Sequence, residues 1–166
     1  MIPFEHECSL YPQKHRLGVS LRFQIMDDEV VGTSFKKTLL VNGESYTYNS
    51  IQNSVYAPVL QRVSKILSRK DTLDSHKWVE ALMIFYNIEA AKVLREKGQG
   101  ILRVHDGPNM EKLEKYRKLG VSAEVLAMKS AKYVPASTPN PKHYGLGVDL
   151  YCHASSPIRR FADIVN

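Results

Sequence analysis

His143-Tyr-Gly-Leu-Gly-Val-Asp-Leu-Tyr151-Cys-His153-Ala-Ser155-Ser156-Pro157-Ile-Arg159-Arg160-Phe-Ala-Asp163 is the stretch on which the reading of this chain turns. Val148 to Tyr151 alternate as a strand does. Ser156 then stands where a helix N-cap belongs, with Pro157 at the first helical position, where a missing N–H costs nothing. A helix starting there aims free N–H groups and the positive end of its dipole at an anion. Arg159 falls within its first turn, and a planar guanidinium fits a phosphate in bidentate fashion. Ile158, Phe161, Ala162 and Val165 recur at helical spacing and predict an inward apolar face. The stretch thus gathers positive groups at one spot, as the holding of a phosphodiester requires. The same pattern also serves as a plain connection, in which Arg159 pairs with Asp163 four residues on for a few tenths of a kcal/mol.

Upstream, the composition is that of one globular domain: 166 residues, 43% hydrophobic and 24% charged, enough to bury a core. No apolar run approaches a membrane span, and the opening Met-Ile-Pro-Phe-Glu-His-Glu is not a secretory signal, so no membrane is expected as a partner. Two distant cysteines, Cys8 and Cys152, without a CxxC pair, suit a reduced intracellular compartment, cytoplasmic or nuclear. His6, Cys8 and His153 match no metal-ligand spacing. The net charge of +6 favours an anionic partner. From Lys129 onward, Lys129, Lys132, Lys142, Arg159 and Arg160 face only Asp149 and Asp163, so half of the excess lies in the last quarter of the chain.

The predicted elements make one α+β domain over residues 1–166, a mixed sheet packed by helices. Leu17, Val19, Leu21, Phe23 and Ile25 alternate, Asp27-Asp28 turns the chain, and Val30 to Val41 returns. Asn42-Gly43 marks a second turn before a short strand at Ser45-Tyr-Thr-Tyr48. Pro58 opens a helix through Leu67. Asp74 or Ser75 caps a core helix that runs to Lys97 and stops at Gly98, with Trp78, Val79, Leu82, Met83, Tyr86, Ala90, Val93 and Leu94 as its apolar stripe. Ile101 to His105 reads as a strand, Asn109 as the cap of a basic helix ending near Gly120, and Ser122 to Lys132 as a further helix. Pro135 to Pro141 reads as a linker. His105, at a strand end, reads as a hydrogen-bonded structural histidine.

The run from His143 to Asp163 resembles the closing signature of the ribonuclease II family catalytic domain (the RNB domain), with Ala154, Ser155 and Phe161 in place of the family's usual Phe, Thr and Tyr. Other pieces resemble the family in the same order: His6-Glu-Cys8-Ser9-Leu10 with Arg16; Val79-Glu80-Ala-Leu-Met83 through Asn87 and Ala90-Ala91; and Gly100-Ile-Leu-Arg-Val-His105-Asp-Gly-Pro108. Between Tyr48 and Trp78 the chain is shorter than the family pattern, as though a hairpin were missing. The resemblance implies a processive 3′-to-5′ exoribonuclease ancestry, single-stranded RNA as partner and Mg2+ as cofactor. Position by position, Arg159 matches the arginine that grips the scissile phosphate and stabilises charge on it. Tyr48 matches a tyrosine beside the terminal nucleotide, with Tyr46 as the competing register. Glu80 matches a glutamate that reads the ribose with that tyrosine. Arg160 and Ser156 join the RNA contacts. Taken by themselves, Glu80 reads as a solvated helix residue, Tyr48 as a packing residue and Arg160 as a surface charge.

The family's magnesium cluster is a different matter. Two metals and an activated water need several carboxylates converging on one point. The seven aspartates here, Asp27, Asp28, Asp71, Asp74, Asp106, Asp149 and Asp163, do not form the family's Asp-Pro…Asp-x-Asp-Asp pattern, and Asp27-Asp28-Glu29 fits a solvated turn. No metal site is expected in the chain. The resemblance therefore implies the C-terminal part of an RNB domain, without its aspartate-bearing half or the flanking OB-fold domains, and inactive alone. The alternatives are a non-catalytic RNA-binding module, an interaction subunit that pairs with a chain carrying the metal site, and a gene fragment.

Overall fold

A computed structural model describes residues 8–118 and 127–166. The chain forms two compact units: Met1–Tyr86 with Ser155–Arg160, and Asn87–Ala154 with Phe161–Asn166. The class is α+β, and the described strands form two antiparallel two-stranded sheets. No helix among the described residues is long and apolar enough to cross a membrane.

The first unit is built on a long hairpin, β1 (His15–Met26) and β2 (Glu29–Val41). Asp27 and Asp28 both take positive φ, 49° and 57°, the twist that a two-residue turn needs to match paired strands. Arg16 Nε donates to the Ser9 carbonyl at 2.8 Å, which ties the entry segment to the hairpin. Cross-strand partners put Leu17 with Leu39, Leu21 with Phe35 and Phe23 with Thr33 on one face. The near end of that face is covered: Phe23 meets Phe85 and Phe35 meets Tyr86 edge to face, at centroid separations of 5.2 and 5.4 Å. Each such pair adds about 0.5–1.5 kcal/mol beyond area burial. Tyr86 also donates its hydroxyl to the Val19 carbonyl at 3.0 Å. At the far end Leu17 and Leu39 remain 88% and 63% exposed.

Helix α1 (Tyr48–Gln52) replaces the expected Ser45–Tyr48 strand. Its cause is local: Thr47 caps it, and Thr47 and Ser50 exchange side-chain to backbone bonds in a capping box. Helix α2 (Ala57–Ser68) carries Pro58 in its first turn and ends on Arg69 at φ 58°. Helix α3 (Ser75–Lys97) ends before Gly98 at φ 64°, as the glycine predicted. Trp78 is buried and donates Nε1–H to the Thr72 carbonyl at 2.8 Å, whereas Val79, expected in the stripe, is exposed.

In the second unit, β3 (Ile101–Val104) pairs with β4 (Lys132–Pro135). Strand β4 departs from the sequence reading, which predicts a helix through Lys132 and a linker from Pro135. Pro135 lies at the outer end of β4, where a missing donor is tolerated. The part of the predicted Ser122–Lys132 helix at residues 122–126, and the predicted helix end near Gly120, lie outside the described residues. Helix α4 (Met110–Lys118) is capped as predicted, Asn109 Oδ1 accepting from Lys112 N at 3.1 Å. Val148–Tyr151 does not form a strand: Val148 makes an isolated bridge to His143, the chain bends at Asp149, and the Tyr151 carbonyl accepts from Arg103 N at 2.8 Å. The core gathers Leu102, Val104, Ala90, Ala91, Ala136, Tyr151 and Cys152. Within it Asn87, fully buried, donates Nδ2 to Tyr151 Oη at 3.1 Å and accepts at Oδ1 from Ala154 N at 3.0 Å. His105 is indeed hydrogen-bonded on both ring nitrogens: Nδ1 accepts from Gly145 N at 3.2 Å and Nε2 faces the Lys129 carbonyl at 2.7 Å.

Candidate nucleic-acid interface

All five residues singled out for the site, Tyr48, Glu80, Ser156, Arg159 and Arg160, fall in the first unit, although more than a hundred positions separate Tyr48 from Arg159. They form two groups.

The first group is the turn Ser155–Arg160. The Ser156 carbonyl accepts from the backbone N–H groups of both Arg159 and Arg160 at 3.2 Å. This corrects the expected helix. No helix begins at Pro157; helix α5 (Phe161–Val165) begins four residues later and has five residues. Ser156 closes the turn through its carbonyl rather than capping a helix with its hydroxyl. One closed turn fixes several dihedrals for few bonds and does not by itself propagate. The apolar face shifts accordingly: Phe161, Ile158 and Val165 are exposed, while Ala162 and Asp163 are buried. The attraction of a helix dipole at Pro157 is therefore withdrawn, and the positive charge here is that of the arginines. Arg159 is exposed, with Nη2 3.5 Å from Ser156 Oγ, and no acidic side chain among the described residues pairs with it. Arg160 is half-buried and donates Nη2 to Ser155 Oγ at 3.3 Å.

The second group joins the start of α1 to the start of α3. Ser75, fully buried, donates Oγ to the Tyr48 carbonyl at 2.7 Å. The Tyr48 ring, half-exposed, stacks on the His76 ring with centroids 3.7 Å apart and planes 19° from parallel. Glu80 lies one turn beyond His76 on the same helix face. Its carboxylate accepts from Lys77 Nζ at 2.6 Å, and this bond holds the Lys77 ammonium above its usual range. Tyr46, the competing tyrosine, is occupied otherwise: its hydroxyl donates to Glu44, which pushes the phenol up to about 12, and its ring meets Tyr56 edge to face. His76 went unmarked in the sequence, although its position four residues before Glu80 placed it on the same face.

Elsewhere the basic surplus is partly offset. Lys132 faces Asp106 and Lys142 faces Asp149, each at 3.4 Å. As for the magnesium implied by the family resemblance, the donor set does not fit it: among the described residues no three His, Cys, Asp or Glu side chains converge. Asp28 sits on the hairpin turn, 3.1 Å from Arg62. Asp71 lies with Lys65 and Gln61, whose bonds hold its carboxyl below the usual range, Lys65 foremost.

The α+β scaffold that carries these two groups belongs to a known class. Residues 56–166 match the RNB domain family, and the chain belongs to that family. Ribonuclease R of Helicobacter pylori (strain J99) is 27% identical over 187 residues, which cover 93% of this chain and 29% of that protein. Among solved structures, yeast Ssd1, a pseudonuclease, superposes with a TM-score of 0.80 at 17% identity, over 98% of this chain and 29% of that one. Mycoplasma genitalium RNase R in complex with ribose-methylated single-stranded RNA gives 0.72 at 16% identity, over 96% of this chain and 37% of that one. The chain thus spans between 29% and 37% of the length of these relatives.

Proposed function

We propose that this polypeptide is the RNA-gripping C-terminal part of an RNB domain, derived from a 3′-to-5′ exoribonuclease. Arg159 contacts a backbone phosphate, Arg160 and Ser156 support that contact, and Tyr48 and Glu80 receive the terminal nucleotide and its ribose. The observation that carries this reading is the exposed Arg159 guanidinium, held on a closed turn with no carboxylate among the described residues to neutralise it. A relative solved with single-stranded RNA supports RNA as the ligand. In this reading the ligands for Mg2+ belong to polypeptide outside these residues, and these residues alone do not hydrolyse RNA. The deciding experiment is fluorescence anisotropy with single-stranded RNA in Mg2+ at two salt concentrations. Affinity should fall with salt. Arg159→Ala should weaken binding about 10–100-fold, the worth of one charge-assisted contact, about 1.5–3 kcal/mol. Unchanged affinity in Arg159→Ala overturns the phosphate role. Arg159-dependent cleavage by the polypeptide alone overturns the assignment of the metal site elsewhere.

A second reading concerns a protein partner. Leu17 and Leu39 are direct cross-strand partners and both stand exposed, with Val19 and Val41 exposed beside them. An apolar strip of this kind supports coverage by another polypeptide segment, such as one carrying the metal site. Sedimentation velocity tests it. The wild type should self-associate with rising concentration, and a Leu17→Lys, Leu39→Glu pair should not. A concentration-independent wild-type monomer refutes this reading.

A further inference from the structure

The contact between Tyr48 and His76 extends the site beyond the residues already assigned. Tyr48 is latched by its carbonyl to buried Ser75, which fixes the backbone but leaves the phenol ring its own torsions. What lies against that ring is the imidazole of His76, parallel to within 19° at 3.7 Å. The imidazole is held in turn. Asp74 Oδ1 accepts from His76 N at 2.9 Å and stands 3.0 Å from His76 Nδ1. The same two bonds, the backbone one foremost, keep the Asp74 carboxyl below its usual range. Asp74 is itself fixed, its N–H donating to Thr72 Oγ1 at 3.1 Å. A carboxylate at Nδ1 favours a ring proton there, and the contact fixes the orientation of the imidazole. Thr72, Asp74, His76 and Tyr48 therefore form a chain of support that ends in a half-exposed aromatic ring, with Glu80 one turn beyond His76 on the same helix face.

We propose that His76 is a positioning residue for nucleotide binding: held by Asp74, it fixes the Tyr48 ring as a preorganised platform for the terminal nucleoside of RNA. This rests on the RNA-binding reading above. A ring already ordered loses little freedom when a base or ribose stacks on it, whereas an unsupported ring must be ordered at binding. Removing the support should therefore weaken binding about three- to tenfold, acting only through Tyr48. His76 is exposed, so its replacement leaves the buried latch at Ser75 in place.

The test uses a short single-stranded oligoadenylate with a free 3′-hydroxyl, with affinity read by anisotropy and the Tyr48 ring protons read by NMR. His76→Ala should move the Tyr48 ring resonances downfield, because the stacked ring's shielding is lost, and should weaken RNA binding by the stated factor. His76→Phe, which restores a flat ring, should recover most of both. In a Tyr48→Ala background, His76→Ala should cost nothing further. Unmoved Tyr48 resonances, wild-type affinity in His76→Ala, no recovery in His76→Phe, or an equal loss in the Tyr48→Ala background each overturn the proposal. Tyr48→Ala and Arg159→Ala separate the two levels. If neither alters binding, the RNA reading fails. If both weaken it and His76→Ala does not, only the positioning role fails.

Discussion

Tyr151→Phe removes one oxygen from the core of the second unit, and its cost follows from what that oxygen accepts. Asn87 is fully buried, and its Nδ2 donates to Tyr151 Oη at 3.1 Å. With phenylalanine the ring keeps its packing against His143 and His153, at centroid separations of 5.3 and 5.6 Å, while the buried amide loses its acceptor. A buried donor left without its partner costs about 1–3 kcal/mol, and the neutral pair here belongs at the lower end, about 1–2 kcal/mol. Asn87→Ala is costlier, because Oδ1 also serves Ala154 N and a cavity remains: about 3–4 kcal/mol. Urea denaturation measures both, with an unchanged slope expected for Tyr151→Phe. The double variant Asn87→Ala, Tyr151→Phe should be less unstable than the sum of the singles by about 1 kcal/mol, because the shared bond is then counted once. If Tyr151→Phe falls within about 0.3 kcal/mol of wild type, or the two changes add, the bond does not hold this core together and the reasoning fails.

Three further outcomes are expected. Burial first, and the neighbouring His105 second, hold the His143 imidazole below its ordinary 6.5, so the unfolded chain takes up a proton that the folded unit resists. Stability should be full above about pH 6.5 and decline as pH falls through the interval below it, and His143→Phe should flatten that decline in urea titrations at several pH values. A Cβ on Gly145 would lie 2.6 Å from His105 Nδ1, so Gly145→Ala should cost about 1–3 kcal/mol by thermal denaturation, the His105 side chain being held at both nitrogens. Replacing Asp27-Asp28 with Asn-Gly relieves two positive-φ residues at the expense of the exposed Asp28–Arg62 pair, and should raise the melting temperature by a few degrees, about 0.5 kcal/mol.

The parts of the fold legible in the sequence were those whose cause is local. The hairpin was read from alternation and an Asp-Asp turn, and α3 from a cap and a terminal glycine; both boundaries agree with the structure to within a residue or two. What could not be read was set by distant partners. Lys132–Pro135 is a strand because Ile101–Val104 lies beside it, and a Pro-bounded tetrapeptide has no period of its own to announce that. Val148–Tyr151 has the alternation of a strand, yet its backbone bonds, Arg103 N–H to the Tyr151 carbonyl and a reciprocal pair between Val148 and His143, do not build a ladder. The Ser45–Tyr48 strand failed for a local reason that was visible in principle: Thr47 with Ser50 three residues on is a helix start, and the β-rich look of two tyrosines masked it.

The site divides along the same line. Arg159 can be singled out from neighbouring sequence and family likeness, because its exposed side chain depends on no distant partner for its position. The mechanism first attached to it, a helix dipole at Pro157, fails because α5 begins later, and the phosphate reading now stands on the guanidinium alone. His76 was missed for the converse reason. Its significance lies in a ring stacked on it from twenty-eight positions upstream, and no periodicity within α3 encodes that neighbour. Glu80, by contrast, is paired with Lys77, so a ribose in the proposed site would compete with an ammonium already bound. In the proposed site that competition would leave the Tyr48 ring, already held against His76, rather than the carboxylate, as the part open to a nucleoside before one arrives.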